Sequence, residues 1–191
     1  MTTDKWLPEA RAALSAIATL ARFDRSAASA FGDDPAQTVR SFRACVLAFP
    51  FFLLVRLGNF FNLAPPIDQG FLVLLVQSIE FVIEALVFPV VALPLLRWYG
   101  REDKWCRLVT AYNWWSLGQT ILITAIVIVH RLTGGAQFAV ELLLIAYLFC
   151  MVVEAFIIEI VLGGGFFTAA TLVLIDMSLT QVASMVSSAI I

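Results

Sequence analysis

Apolar positions in this chain gather into five long runs, at approximately 44–63, 71–96, 108–129, 138–160 and 165–191, parted by short polar or glycine-rich breaks. Runs of about 20 apolar residues match the roughly 30 Å hydrocarbon core of a bilayer. The pattern predicts an all-α fold, a polytopic membrane bundle of five transmembrane helices over 36–191, preceded by a polar segment at 1–35. Within that segment Leu7, Ala10, Leu14, Ile17 and Ala21 recur at helical spacing, predicting an amphipathic helix over 4–22. Such a helix either lies in the membrane interface, with Trp6 among the headgroups, or packs on the cytoplasmic ends of the bundle. Its mostly alanine face buries little area and favours the packed arrangement.

Break signals place the connections. Asp34 as N-cap and Pro35 at the first helical position predict a helix that runs on into the first span. The stretch at 64–70, with two prolines and a closing glycine, reads as a tight turn. A charged loop with interface aromatics covers 97–107, and glycines at 134–135 and 163–165 mark the last two connections. Pro89 and Pro94 free backbone carbonyls late in the second span and predict a kink.

Composition agrees with the pattern. The chain of 191 residues is 61% hydrophobic and 14% charged, against about 25% charged in soluble domains. Lysines and arginines lie outside the spans or at their ends, Arg56 excepted, and concentrate before the first span and between the second and third. The positive-inside rule then predicts a cytoplasmic N-terminus and, with five spans, a periplasmic C-terminus in a bacterial inner membrane. Trp98, Trp105, Trp114 and Trp115 gather near the inner boundary, where an aromatic belt is expected. Residues 12–30 do not make a cleavable signal peptide, because Asp4 and Glu9 occupy what should be a positive region. Three cysteines at these spacings form neither a disulfide framework nor a metal site, and Cys45 and Cys150 read as small apolar filler. No basic, aromatic-interleaved patch points to nucleic acid.

Ionisable groups inside the runs carry the candidate chemistry, because a charge at bilayer depth must pair, face water or face other helices. At about 1.5 Å of rise per residue, Glu80 and Glu84 lie roughly 13 and 20 Å from the outer face, and Arg56 about 11 Å. Asp176 and Gln119 fall near the midplane. One level of the bundle can thus hold Arg56, Glu80, Glu84, Gln119 and Asp176. Gln77, Glu80 and Glu84 share one helix face; Asn113, Ser116, Thr120 and Thr124 form a polar stripe; Asp176, Thr180, Ser184 and Ser188 recur every four residues. The expected roles are a proton or cation path at Glu80, Glu84, Asp176 and Gln119, and a structural ion pair between Arg56 and Glu80. Gln77, Asn113, Thr120 and Thr180 are the expected polar lining. Two carboxylates one turn apart, Glu80 and Glu84, are also suited to share a proton. Mere polar packing explains the same residues equally well.

The second span tolerates this charge. Its 18 Leu, Ile, Val and Phe residues favour insertion by about 5 to 11 kcal/mol, against about 6 for two central carboxylates. Glu141, Glu154 and Glu159 sit near interfaces and are expected to reach water. His130 stands without a second metal-ligand side chain nearby, so no metal is expected. Hydrolase, metalloprotease, dinucleotide and P-loop motifs are missing from the sequence, so neither an enzyme nor a cofactor is expected.

Five spans, a cytoplasmic N-terminal segment and very short outer loops resemble the layout of the Yip1-domain family of membrane-trafficking and organelle-shaping proteins. Arg40-Ser41-Phe42-Arg43-Ala44 leading to Pro50, with Tyr112-Asn113-Trp114, is similar to small bacterial inner-membrane proteins of unassigned function. Neither resemblance brings a site residue with it. The sequence therefore leaves two expectations. One is a homo-oligomer, or a complex with a membrane-protein partner, that conducts or couples protons or small cations. The other is a Yip1-like scaffold whose buried polar groups only specify helix packing.

Overall fold

Asp34 starts the first long helix in the way its residue type predicts. Its carboxylate accepts from the backbone N–H groups of Ala36 at 2.9 Å and Gln37 at 3.2 Å, ahead of Pro35 at the first helical position. In a computed structural model of the protein, residues 6–61 and 70–190 are described, 58–61 as backbone only. Residues 64–69 of the expected tight turn lie outside them.

All regular structure in the described residues is helical. Helix α1 spans Trp6–Leu20, and a 3-10 turn at Arg25–Ala30 leads to α2, Pro35–Phe61. Then come α3 at Gly70–Trp98, a short 3-10 turn at Glu102–Lys104, α4 at Trp105–Leu132, α5 at Gln137–Leu162 and α6 at Phe166–Ile190. Helices α2 to α6 are each long and apolar enough to cross a membrane, so this is a membrane protein of five spans. Helix α3 runs unbroken through Pro89 and Pro94. The Pro89 carbonyl accepts from the Trp105 indole at 2.8 Å.

Neighbours define a ring: α2 packs on α4, α4 on α5, α5 on α6, α6 on α3, and α3 back on α2. The α2–α4 seam is built from small residues that let backbones approach. Thr38, Ser41, Ala44 and Ala48 are buried along it. Thr38 Oγ1 donates to the Cys106 carbonyl at 3.0 Å and lies 3.1 Å from Thr110 Oγ1, while Asn113 Nδ2 donates to Ser41 Oγ at 2.9 Å. Helix α2 is therefore engaged with the bundle from Thr38 onward, ahead of the apolar run that begins at 44.

Large side chains fill one end of the ring, which we term the basic end because it carries the lysine- and arginine-rich segments. Phe88, Leu96, Leu108, Ile157, Ile158, Leu162 and Leu172 are almost wholly buried in one continuous core. Trp114 and Trp115, expected in an interfacial belt, belong to this core as well, at 4% and 3% exposure, whereas Trp98 is exposed at 79%. A helical turn rotates them inward with the seam of α4. Gly163 closes α5 at φ +62, and Arg101 donates to the Leu162 carbonyl beside it. A Cβ there would both strain the left-handed backbone and come within 3.3 Å of the guanidinium.

Helix α1 packs against α4 and α5, with Ile17 beside Gly118 of α4. Ala10, Ala13, Ala16, Ile17 and Leu20 face inward, while Leu7 and Leu14 of the expected apolar face are 62% and 37% exposed. The buried face keeps Ala10 and Ile17 of the expected set and is rotated to take in Ala13, Ala16 and Leu20 in place of Leu7 and Leu14. Glu9 accepts from Arg40 Nε at 2.9 Å, and Arg25 lies 3.6 Å from Glu159. Asp24 accepts from the Ser26 backbone at 2.9 Å, which holds its carboxyl below the usual carboxylate range.

Candidate functional site

The other end of the ring is hollow. A cavity of about 1040 Å³ lies between α2, α3, α4, α5 and α6. It follows α4 from Tyr112 to the exposed Gly134 and Gly135 of the α4–α5 turn, a length of about 30 Å. The cavity thus meets the surface at the end opposite the dense core.

Each polar stripe read from the sequence meets this space in part. Glu84 from α3, Asp176 and Thr180 from α6, and Gln119 and Thr120 from α4 all border it. Glu80, Gln77 and Asn113 do not. Glu80 is buried beside Arg56 at 1% exposure, Gln77 is buried at 6%, and Asn113 is committed to Ser41 on the seam. The expected lining role of Gln77 and Asn113 is therefore corrected. An i, i+3, i+7 face is wider than the sector of a helix that one cavity can touch.

Arg56 reaches in from α2 and ties three helices. Its Nη2 pairs with Glu80 Oε1 and lies 3.6 Å from Glu84 Oε1, while Nη1 donates to Ser184 Oγ at 3.2 Å. The guanidinium also sits over the Phe52 ring, 5.2 Å from its centroid. Glu80 and Glu84, one turn apart, thus share a cation. The second Glu80 oxygen accepts no hydrogen bond among the described residues.

Tyr112 and Asp176 form a second polar tie, with the phenol donating to Asp176 Oδ1 at 2.8 Å across α4 and α6. Toward the mouth, Arg131 Nη2 donates to the Val55 carbonyl at 3.0 Å, bridging α4 to α2. His130 borders the same stretch with Nδ1 unbonded among the described residues. No group of three or more His, Cys, Asp or Glu residues suited to a metal occurs among the described residues.

Glu154 corrects the sequence reading most. Expected to reach water, it is 5% exposed, borders the cavity, and its Oε1 has no hydrogen-bond partner among the described residues. The Trp115 indole is close enough to interact with it, and Asp176 close enough for the two charges to act on each other. A signal was present: Leu143, Tyr147, Met151 and Glu154 follow helical spacing and all four line the cavity. Glu159 pairs loosely with Arg25, and Glu141 is exposed, as its position near a helix end predicts. Cys45 borders the cavity and Cys150 is buried; all three cysteines are free thiols.

Comparison with family models, with curated proteins and with solved structures finds no match to this chain.

Proposed function

We propose that this membrane protein conducts or couples protons or small cations, with the carboxylates around the cavity as the sites they visit. The observation that carries the reading is convergence: Glu84, Glu154 and Asp176, from three different helices, border one cavity. Intramembrane carboxylates are expensive, and such chains are the usual material of proton relays. A carboxylate can take a proton from the mouth side and pass it inward, and the Tyr112 hydroxyl, bonded to Asp176, is placed to extend that relay toward the dense core. Arg56 holds α2, α3 and α6 at the spacing the path needs. The dense core interrupts the path, so conduction requires a second conformation or a neighbouring copy. A homo-oligomer or a larger membrane complex answers that need. The distribution of basic residues favours a bacterial inner membrane with a cytoplasmic N-terminus.

A Yip1-like scaffold or assembly role is the rival reading, favoured by one observation. Arg56 binds Glu80 and Ser184 in the manner of a structural pin, and buried ion pairs often fix packing rather than drive transport. Reconstitution separates the two. Liposomes with an entrapped pH-sensitive dye and an imposed potassium diffusion potential should acidify faster with the protein than without it. Asp176→Asn should lower that rate about tenfold while keeping the helical content. Absence of flux from protein that is folded and correctly inserted removes the transport reading and leaves the scaffold.

A further inference from the structure

We infer that the cavity binds an amphiphilic organic cation, an amine or quaternary ammonium carrying an apolar arm, with its charge beside Glu154 and Asp176. The inference deepens the transport reading and rests on it, since it names what the carboxylates engage.

Size is the first argument. A file of waters or one hydrated metal ion needs a small fraction of about 1040 Å³, whereas pockets for drug-sized molecules run from about 300 to 1,000 Å³. Charge is the second. Of the two arginines that border the space, Arg56 pairs with Glu80 and lies 3.6 Å from Glu84, and Arg131 bonds carbonyls of α2 toward the mouth, whereas Glu154 and Asp176 enter no ion pair among the described residues. The deep end of the cavity therefore presents carboxylates, and an anion would meet them without a compensating donor. Glu154 is the third. It is 5% exposed, borders the cavity, and keeps Oε1 unpartnered among the described residues. The Trp115 indole is its near donor but makes no well-formed hydrogen bond to Oε1, and a buried carboxylate oxygen so poorly served is costly; a bound ammonium would satisfy it.

Wall chemistry fixes the rest of the ligand. Between the carboxylates and the mouth, the cavity is faced by Ile123, Val127, Leu143, Met151 and Met177. Such a surface accepts an apolar arm of loosely defined shape, methionine thioethers adapting to the contour. A bare alkali cation would leave this wall unused. The arrangement is therefore bipolar: carboxyl-lined at depth, apolar along its length, and open at the glycine turn.

The test uses the full chain in nanodiscs of zwitterionic phosphatidylcholine, with tetraphenylphosphonium as probe and tetraphenylborate, of like size and opposite charge, as control. Equilibrium dialysis should show saturable phosphonium binding above that of empty discs, with no saturable borate binding. Glu154→Gln and Asp176→Asn should each weaken it about tenfold, whereas Glu141→Gln, at an exposed carboxylate, should leave it unchanged. Should the first two fail to fold, Val127→Trp fills the apolar wall without touching a carboxylate and should abolish binding. Equal saturable uptake of the borate, or phosphonium binding that survives both the carboxylate and the Val127→Trp changes, overturns the inference. Proton flux without phosphonium binding overturns it and spares the transport reading; binding without flux does the reverse.

Discussion

The two ends of the helix ring are built from the same five helices but hold together by different means. At the basic end, Phe88, Leu96, Leu108 and Ile158 interlock at no more than 1% exposure. At the far end Ile123, Ile126 and Ala146 form a separate small cluster among the described residues, and the cavity lies beside it. Lipid tails are as apolar as leucine, so helix association in a bilayer relies on packing and on interhelical hydrogen bonds. Where packing has been given up, polar ties must substitute, and they do. Arg56 joins α2 to α3 and α6, and Arg131 joins α4 to α2. The lesson is that the hollow end is held open by charge while the dense end is held shut by shape.

Breaking the charge tie should have the largest effect. Glu80→Gln strips Arg56 of its main partner inside the bilayer, a loss expected to cost about 3–5 kcal/mol. Arg56→Gln should do comparable damage, because Glu80, at 1% exposure, would be left charged and alone. The double change Arg56→Gln with Glu80→Gln should cost less than the sum of the two single changes, with a coupling of about 0.5–3 kcal/mol. Unfolding in detergent, followed by far-UV circular dichroism, gives the three values. Strict additivity would mean that the ion pair does not hold the hollow end open.

Packing at the dense end should rank next. Leu108→Ala opens a void in a wholly buried position and should cost about 2 kcal/mol, the lower end of the usual range because transfer to lipid is no gain. Ile123→Ala, on the wall of space that already exists, should cost less than half as much by the same unfolding measurement. Equal losses at the two positions would show that the cavity is filled by side chains in the folded protein.

Most of the fold was legible because membrane spans are written in long apolar runs, and the breaks at Asp34-Pro35 and Gly163 carry strong local signals. Convergence of Arg56, Glu84 and Asp176 was legible too, since charges at bilayer depth have few permitted directions. Glu154 was hidden by the same rule. Its distance from a helix end suggests a side chain that extends to water, and only the packing of α5 against α4 and α6 turns it inward. Trp114 and Trp115 were hidden because an interfacial and a core tryptophan carry the same sequence signature. The face of α1 was legible in part: Ala10 and Ile17 are buried as their spacing suggests, whereas Leu7 and Leu14 are exposed and Leu20 is buried in their place.

The smallest effect concerns whether the N-terminal segment belongs to the dense end at all. Its polar attachments are partly exposed: Arg40 donates to Glu9 at 2.9 Å, and Arg25 stands 3.6 Å from Glu159. Pairs of this kind contribute about 0.2–1 kcal/mol and weaken with salt. The buried contacts of Ile17 and Leu20 on the flank of the bundle should carry most of the attachment. Arg40→Gln should therefore raise proteolytic cleavage in the 21–34 connection only two- to fivefold, with the difference from the unaltered protein fading at high salt. Leu20→Ala should raise it much further at any salt concentration. If the two variants behave alike, α1 is held by charge rather than shape, and the dense end shares the design of the hollow one.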